Sequence, residues 1–172
     1  MLSSLVFAVN IQPEFTFQRL EQVTGFDILR TNMRITKYNR TTAVMNGTVD
    51  FYVDLDNSLT FQMKLAYSRL GNNQFNLYPL RLAEAPFCHF LNDTFREYQA
   101  DFQNATNFPQ VGPEGLCPVP AGQYWLKNVV FDASRIPFIA PEGYWRVTFV
   151  TTGPKSTVLF HIYAKLSKES FW

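Results

Sequence analysis

One stretch of this chain breaks the pattern of the rest. Phe87, Leu91, Phe95, Tyr98 and Phe102 recur at spacings of four, four, three and four, while Asp93, Arg96, Glu97 and Asp101 fall mainly elsewhere. That is the apolar stripe of an amphipathic helix, and the spacing predicts one over about residues 87–103. In most other segments apolar residues alternate with polar ones, the period of a half-buried strand. The chain's two cysteines, Cys88 and Cys117, bracket the helical stretch and the loop after it. Such a chain is constrained to fold as a β-protein carrying one helix.

The alternation is clearest at residues 59–69, where Leu59, Phe61, Met63, Leu65 and Tyr67 share one face. Asp56-Asn57-Ser58 before it and Gly71-Asn72-Asn73 after it supply turn chemistry. Residues 43–53 place Ala43, Met45, Val49, Phe51 and Val53 on one face and Asn46, Thr48, Asp50 and Tyr52 on the other. Further strands are expected at 26–38, 74–82, 123–131, 143–152 and 156–166, with 11–24 as an edge strand or arm. Pro79 marks 74–82 as an edge or a bulge, because proline cannot donate to a ladder. In 156–166, Val158, Phe160, Ile162, Ala164 and Leu166 face one way, and Gly153-Pro154-Lys155 is the expected hairpin turn. Residues 104–122 and the stretch from Ile136 to Gly143 are loops rich in turn formers. The expectation is a mostly β protein, an antiparallel sandwich of seven or eight strands with one amphipathic helix. Residues 1–10 are a candidate residual or shortened signal segment, and 11–172 form a single β-sandwich domain.

Composition narrows the compartment and the partners. Fifteen basic and fourteen acidic residues are interleaved, for a net charge of +1, so no basic block marks a nucleic-acid surface. No apolar run approaches the roughly 20 residues of a membrane-spanning helix. Four glycosylation patterns occur, at Asn39, Asn46, Asn92 and Asn104, each followed two residues later by threonine. Together with the spaced cysteines they favour a secreted, glycosylated protein. A bond between Cys88 and Cys117 is the sole intramolecular pairing open to the chain. It would close a loop of about 30 residues, worth about 3.5 kcal/mol on chain entropy.

Sites for chemistry are sparse. His89 and His161 lack metal-ligand spacing, and neither a nucleophile elbow nor a phosphate-binding glycine loop is present. Asp50 and Asp54 would share a face if their strand continued, which makes paired-carboxylate chemistry conceivable, but a solvated strand edge is the plainer reading. No catalytic residue, metal or cofactor is assigned. The aromatic content is high, with 17 Phe, 8 Tyr and 3 Trp. Such rings fill a core or line an apolar cavity. The expected wall of such a cavity is Phe51, Phe61, Met63, Leu65, Phe95, Tyr98, Phe102, Tyr124, Leu126, Phe149, Phe160 and Ile162.

Four phrases carry a resemblance. They are Lys37-Tyr38-Asn39-Arg40-Thr41-Thr42-Ala43-Val44-Met45-Asn46-Gly47, Phe87-Cys88-His89-Phe90-Leu91, Asn107-Phe108-Pro109, and Cys117-Pro118-Val119-Pro120-Ala121-Gly122-Gln123-Tyr124. Their order over residues 25–166 resembles a large insect family of secreted proteins of mostly unknown function. That family is similar to ML-type lipid-recognition domains and to ganglioside-activator-like chemosensory proteins. The resemblance implies an immunoglobulin-like or ML-like sandwich, a Cys88–Cys117 disulfide, and a lipid or other hydrophobic small molecule as partner. It also implies a role in chemosensory signalling, with a cell-surface receptor as a further partner. The competing expectation is an extracellular protein-interaction module with a filled core, which exposed aromatics in 104–122 or 132–145 would mark.

Overall fold

The computed structural model describes residues 11–135 and 140–170. The expected signal segment, residues 1–10, lies outside the described residues, as do 136–139 of the loop from Ile136 to Gly143. The chain runs β1 (Ile11–Thr24), β2 (Leu29–Thr31), β3 (Arg34–Lys37), β4 (Ala43–Phe51), β5 (Thr60–Ser68), β6 (Asn76–Pro86), the helix α1 (residues 87–101), β7 (Gly122–Val129), β8 (Gly143–Thr152) and β9 (Thr157–Ser170). All strand pairs are antiparallel. One sheet has the order β1-β9-β8-β5-β6; in the other, β4 carries β2 and β3 on one edge and β7 on the opposite edge.

The nine described strands exceed the expected seven or eight because the 26–38 stretch divides. Gly25 turns the chain at φ +81°, and the Ile28 and Leu29 amides donate to its carbonyl at 3.0 and 3.2 Å. A Cβ on Gly25 would stand 2.5 Å from Val158, so this turn requires glycine. The chain then runs twice along β4, pairing Leu29 with Phe51 and Arg34 with Asn46. The β8–β9 hairpin turns at Gly153, whose amide donates to Ser156 O at 2.9 Å. Opposite Pro79, the β5–β6 register slips between Lys64 and Ala66, and β6 forms a sheet edge, as proline requires.

A sandwich must close its two long sides. On one side, β1 pairs with β9 in the first sheet, and the Gln22 side chain reaches across to the second. Its Nε2 donates to Leu29 O at 2.7 Å, and its Oε1 accepts from Thr31 N at 2.9 Å. The amide thus takes the place of a ladder partner for β2 and satisfies half-buried backbone groups.

On the other side, β6 runs directly into α1. Phe87 N donates to Leu59 O at 2.9 Å, and the next amide, Cys88 N, is capped by Asn57 Oδ1 at 3.1 Å. The helix ends at Asp101 rather than 103, and its middle, Leu91–Phe95, is a π turn. One face, with Phe87 and Leu91 buried and Phe95 partly so, packs between the sheets. The other face holds the returning loop. Cys88 is bonded to Cys117 with 5.6 Å between Cα atoms. Asn92 Oδ1 accepts from Leu116 N at 2.7 Å, and Arg96 donates to Gly112 O at 2.8 Å. Gln99 exchanges two bonds with the Val111 backbone at 2.6 and 3.1 Å. Residues 88, 92, 96 and 99 follow helical spacing, so the polar face is a seam.

Replacing Gln22 with Ala leaves Leu29 O and Thr31 N without their partner. The expected loss is about 1–3 kcal/mol in urea unfolding, with faster hydrogen exchange at Thr31 than elsewhere in the sheets.

Candidate functional site

Three separate apolar clusters occupy the inside of the fold; the two sheets meet over the first two, and the third is built from the first sheet and the loop before β8. Leu55, Leu59, Phe61, Phe87, Leu91 and Val119 form the first, at the helix side. Phe17, Met45 and Val129 form the second, and Ala140, Trp145 and Leu166 the third. The register shows what lies between. Across β5, β8 and β9, the inward rows are Phe61–Thr151–Val158, Met63–Phe149–Phe160, Leu65–Val147–Ile162 and Tyr67–Trp145–Ala164, with Gly143 and Leu166 beyond the last on β8 and β9. Leu65, Val147 and Ile162 occupy the middle row on the three central strands of the sheet, yet all three are half-buried. On the outward face beside them, Ala66 is 2% and Tyr163 8% exposed. The middle of the interior is therefore less covered than part of the exterior, the reverse of a closed sandwich.

The exterior is covered by its own side chains. The Arg19 guanidinium lies 3.7 Å from the Tyr163 ring centroid, and Arg146 lies 5.2 Å from that of Phe75. Phe75, from the β5–β6 turn, meets Tyr163 edge-on at 5.7 Å.

Most of the expected wall gathers at the interior. Phe51, Met63, Phe95, Tyr124 and Phe149 pack on the first cluster around Phe61, Phe102, Leu126 and Ile162 on the second, and Leu65 on the third. Phe160 is buried and stacked on Phe149 at 6.3 Å. Tyr98 is the exception. The π turn adds a residue to the helical repeat and puts the residues after it out of phase with the stripe. Tyr98 lies beneath Arg135, 4.8 Å from the guanidinium, which is paired with Asp101 at 3.0 Å. Sequence reasoning missed Phe90, stacked on Phe61 at 3.9 Å, and Phe108, which bridges Phe95 and Tyr124 at 5.2 Å each. It also missed Val147 and Leu20, although the alternation of 143–152 contained the signal for Val147.

The interior is chemically plain. None of the inward rows from Phe61–Thr151–Val158 to Tyr67–Trp145–Ala164 carries a charged side chain. Tyr67 donates its hydroxyl to Glu142 O and Tyr124 to Pro120 O, both at 2.6 Å. Burial, and secondarily the Asp54 charge, push the Tyr124 phenol above its ordinary pKa and keep it a donor. The paired-carboxylate idea does not survive the fold. β4 ends at Phe51, so Asp50 and Asp54 do not share a strand face. Asp50 accepts from Gln123 at 2.8 Å and Asp54 from Ala121 N at 2.8 Å.

The sequons differ sharply. Asn39 is exposed on the β3–β4 turn, where its Oδ1 accepts from the Thr41 and Thr42 amides at 2.9 and 2.8 Å. Asn104 is exposed in the turn after α1. Asn46 is half-buried and joins β3 to β7: its Nδ2 donates to Thr36 Oγ1 at 2.8 Å, and its Oδ1 accepts from Asn128 N at 2.7 Å. Asn92 belongs to the helix seam.

His161 sits on the outward face, 2.8 Å from Thr148 Oγ1 through Nδ1. Burial chiefly, then Arg146 and Arg19, lower its pKa, and Glu21 opposes them. A histidine with a depressed folded pKa binds fewer protons folded than unfolded. Stability is therefore full above the unfolded value of about 6.5 and declines as pH falls below it. In urea titrations between pH 7.5 and 5, His161→Gln is expected to flatten this decline.

Among the described residues no group of three or more His, Cys, Asp or Glu is placed to hold a metal ion, and no helix is long and apolar enough to cross a membrane. The disulfide is consistent with an oxidising, extracellular compartment. No curated protein matches the chain. Residues 59–147, just over half of the chain and spanning β5 to the middle of β8, match the family described as protein of unknown function DUF1091, and the chain belongs to that family.

Proposed function

We propose that the protein is a secreted, non-enzymatic binding protein that holds a lipid or another apolar small molecule between its two sheets. The carrying observation is the middle row Leu65–Val147–Ile162, which points inward and yet stays half-buried between three covered clusters. Apolar side chains in such a position gain from any apolar surface that displaces water from them. With no charged side chain in the inward rows around Leu65–Val147–Ile162, the enclosed part of the ligand is an uncharged chain or ring system, because an unpaired charge there would go unsolvated. The resemblance to ML-type lipid-recognition domains supports the same reading. A chemosensory role, with a cell-surface receptor meeting the loaded protein, rests on that resemblance alone.

The competing reading is an extracellular interaction module with a filled core. Its expected mark is exposed aromatics in 104–122 or 132–145. Among the described residues, the exposed large apolar side chains fall elsewhere, as at Leu70, Leu77, Trp125 and Phe131.

Val147→Phe separates the two. In a filled core the larger ring costs about 1–3 kcal/mol of stability. In an open one it is accommodated, and it takes the ligand's place. Native mass spectrometry of the gently purified protein, titrated with neutral lipids, is expected to show uptake. Val147→Phe should keep wild-type stability and weaken uptake about tenfold or more, a difference of about 1.4 kcal/mol. No uptake across lipid classes, together with a destabilised Val147→Phe, sinks the proposal and favours the interaction module.

A further inference from the structure

Four asparagines carry the same acceptor pattern, but the fold gives their amides different work. Attachment of an N-linked oligosaccharide joins Nδ2 to the anomeric carbon of a lipid-pyrophosphate-linked sugar donor. The new C–N bond replaces the C–O bond to the pyrophosphate, the lipid pyrophosphate leaves, and one amide proton is lost. The modified nitrogen keeps a single hydrogen, and the attached sugar is bulky and hydrated, so it needs a surface position.

Asn92 cannot meet these terms in the folded chain. Its Nδ2 donates to Cys88 O at 2.9 Å and to Leu116 O at 3.4 Å, and its Oδ1 accepts from Leu116 N at 2.7 Å. Both amide hydrogens point at protein carbonyls, and the residue is half-buried. Gly115 closes the site from outside: a Cβ there would stand 2.9 Å from Asn92 Oδ1. A sugar on Nδ2 would remove one of the two donors and separate the helix from its loop beside the disulfide.

Asn39 presents the opposite case. Its Oδ1 organises the turn, and the threonine of its own sequon donates to that oxygen through Oγ1 at 3.1 Å. Its Nδ2 has no partner among the described residues and stands in solvent. The Asn104 amide is likewise unengaged among the described residues and exposed. Asn46 donates one hydrogen to Thr36, which neither requires nor forbids a sugar.

We propose that Asn39 and Asn104 are attachment points for N-linked oligosaccharide, and that Asn92 is a structural amide that stays bare. This does not depend on the ligand reading. The test is the full chain secreted from eukaryotic cells behind a cleavable signal, with glycopeptide mapping after enzymatic deglycosylation in heavy-oxygen water. The isotopic label is expected at Asn39 and Asn104 and not at Asn92. Asn39→Gln and Asn104→Gln should each remove one glycan's mass, and Asn104→Gln should leave the melting temperature unchanged. Thr94→Ala destroys the Asn92 sequon but keeps its amide, so mass and melting should both stay as in the wild type. Asn92→Ala should lower the melting temperature by about 4 °C or more. If Asn92→Ala does not fold, Thr94→Ala still decides. Label at Asn92, a glycan's mass lost in Thr94→Ala, or a bare Asn39 or Asn104 overturns the proposal.

Discussion

The returning loop after α1 is held twice: Phe108, Leu116 and Val119 pack into the first apolar cluster, and a polar seam on the helix ties its backbone. Cys88, Asn92, Arg96 and Gln99 hold Cys117, Leu116, Gly112 and Val111 in reverse order, like two antiparallel edges laced together. The polar lacing fixes the apolar stripe on the other side of the helix, because a helix held along one face cannot rotate. Phe87 and Leu91 are therefore committed to the space between the sheets, and Val119 and Phe108 join them from the loop. The side of the sandwich next to β6 depends on this arrangement. The side next to β1 is closed by the second cluster, where Phe17 meets Met45 and Val129, with the Gln22 amide bonding β2 beside it.

Aromatic rings bridge the helix side in a chain running Phe51–Tyr124–Phe108–Phe95–Phe90–Phe61–Phe149–Phe160. The aliphatic row Leu65–Val147–Ile162 beyond that chain has no comparable cover.

Much of this architecture is legible in the residues, for physical reasons. Strand alternation places 143–152 to the residue and the inward set of 59–69 almost completely, because one buried face of a sheet leaves a period-two imprint. The helix and its disulfide are equally plain. Three things are hidden. Gln22 looks like any polar residue on an edge strand, since its role is a bond to backbone and not a pattern. The π turn at Leu91–Phe95 has no marker in the sequence, so periodicity assigns Tyr98 to the stripe it leaves. The half-burial of Leu65, Val147 and Ile162 is invisible to periodicity, which reports the face a side chain is on and not what stands opposite. The sequons are all visible, but not the hydrogen bonds that distinguish Asn92 from Asn39.

The pairing of β1 with β9 has a consequence for the order in which the chain is made. Ile11 pairs with Ser170, so the first described strand has no sheet to join until the last one has been synthesised. The helix seam, by contrast, spans only 29 residues between its cysteines and is complete well before β8 emerges. Long-range pairings of this kind come late and slowly. During synthesis, then, the helix side is laced first, while the β1 edge waits for the last strand before its sheet can close.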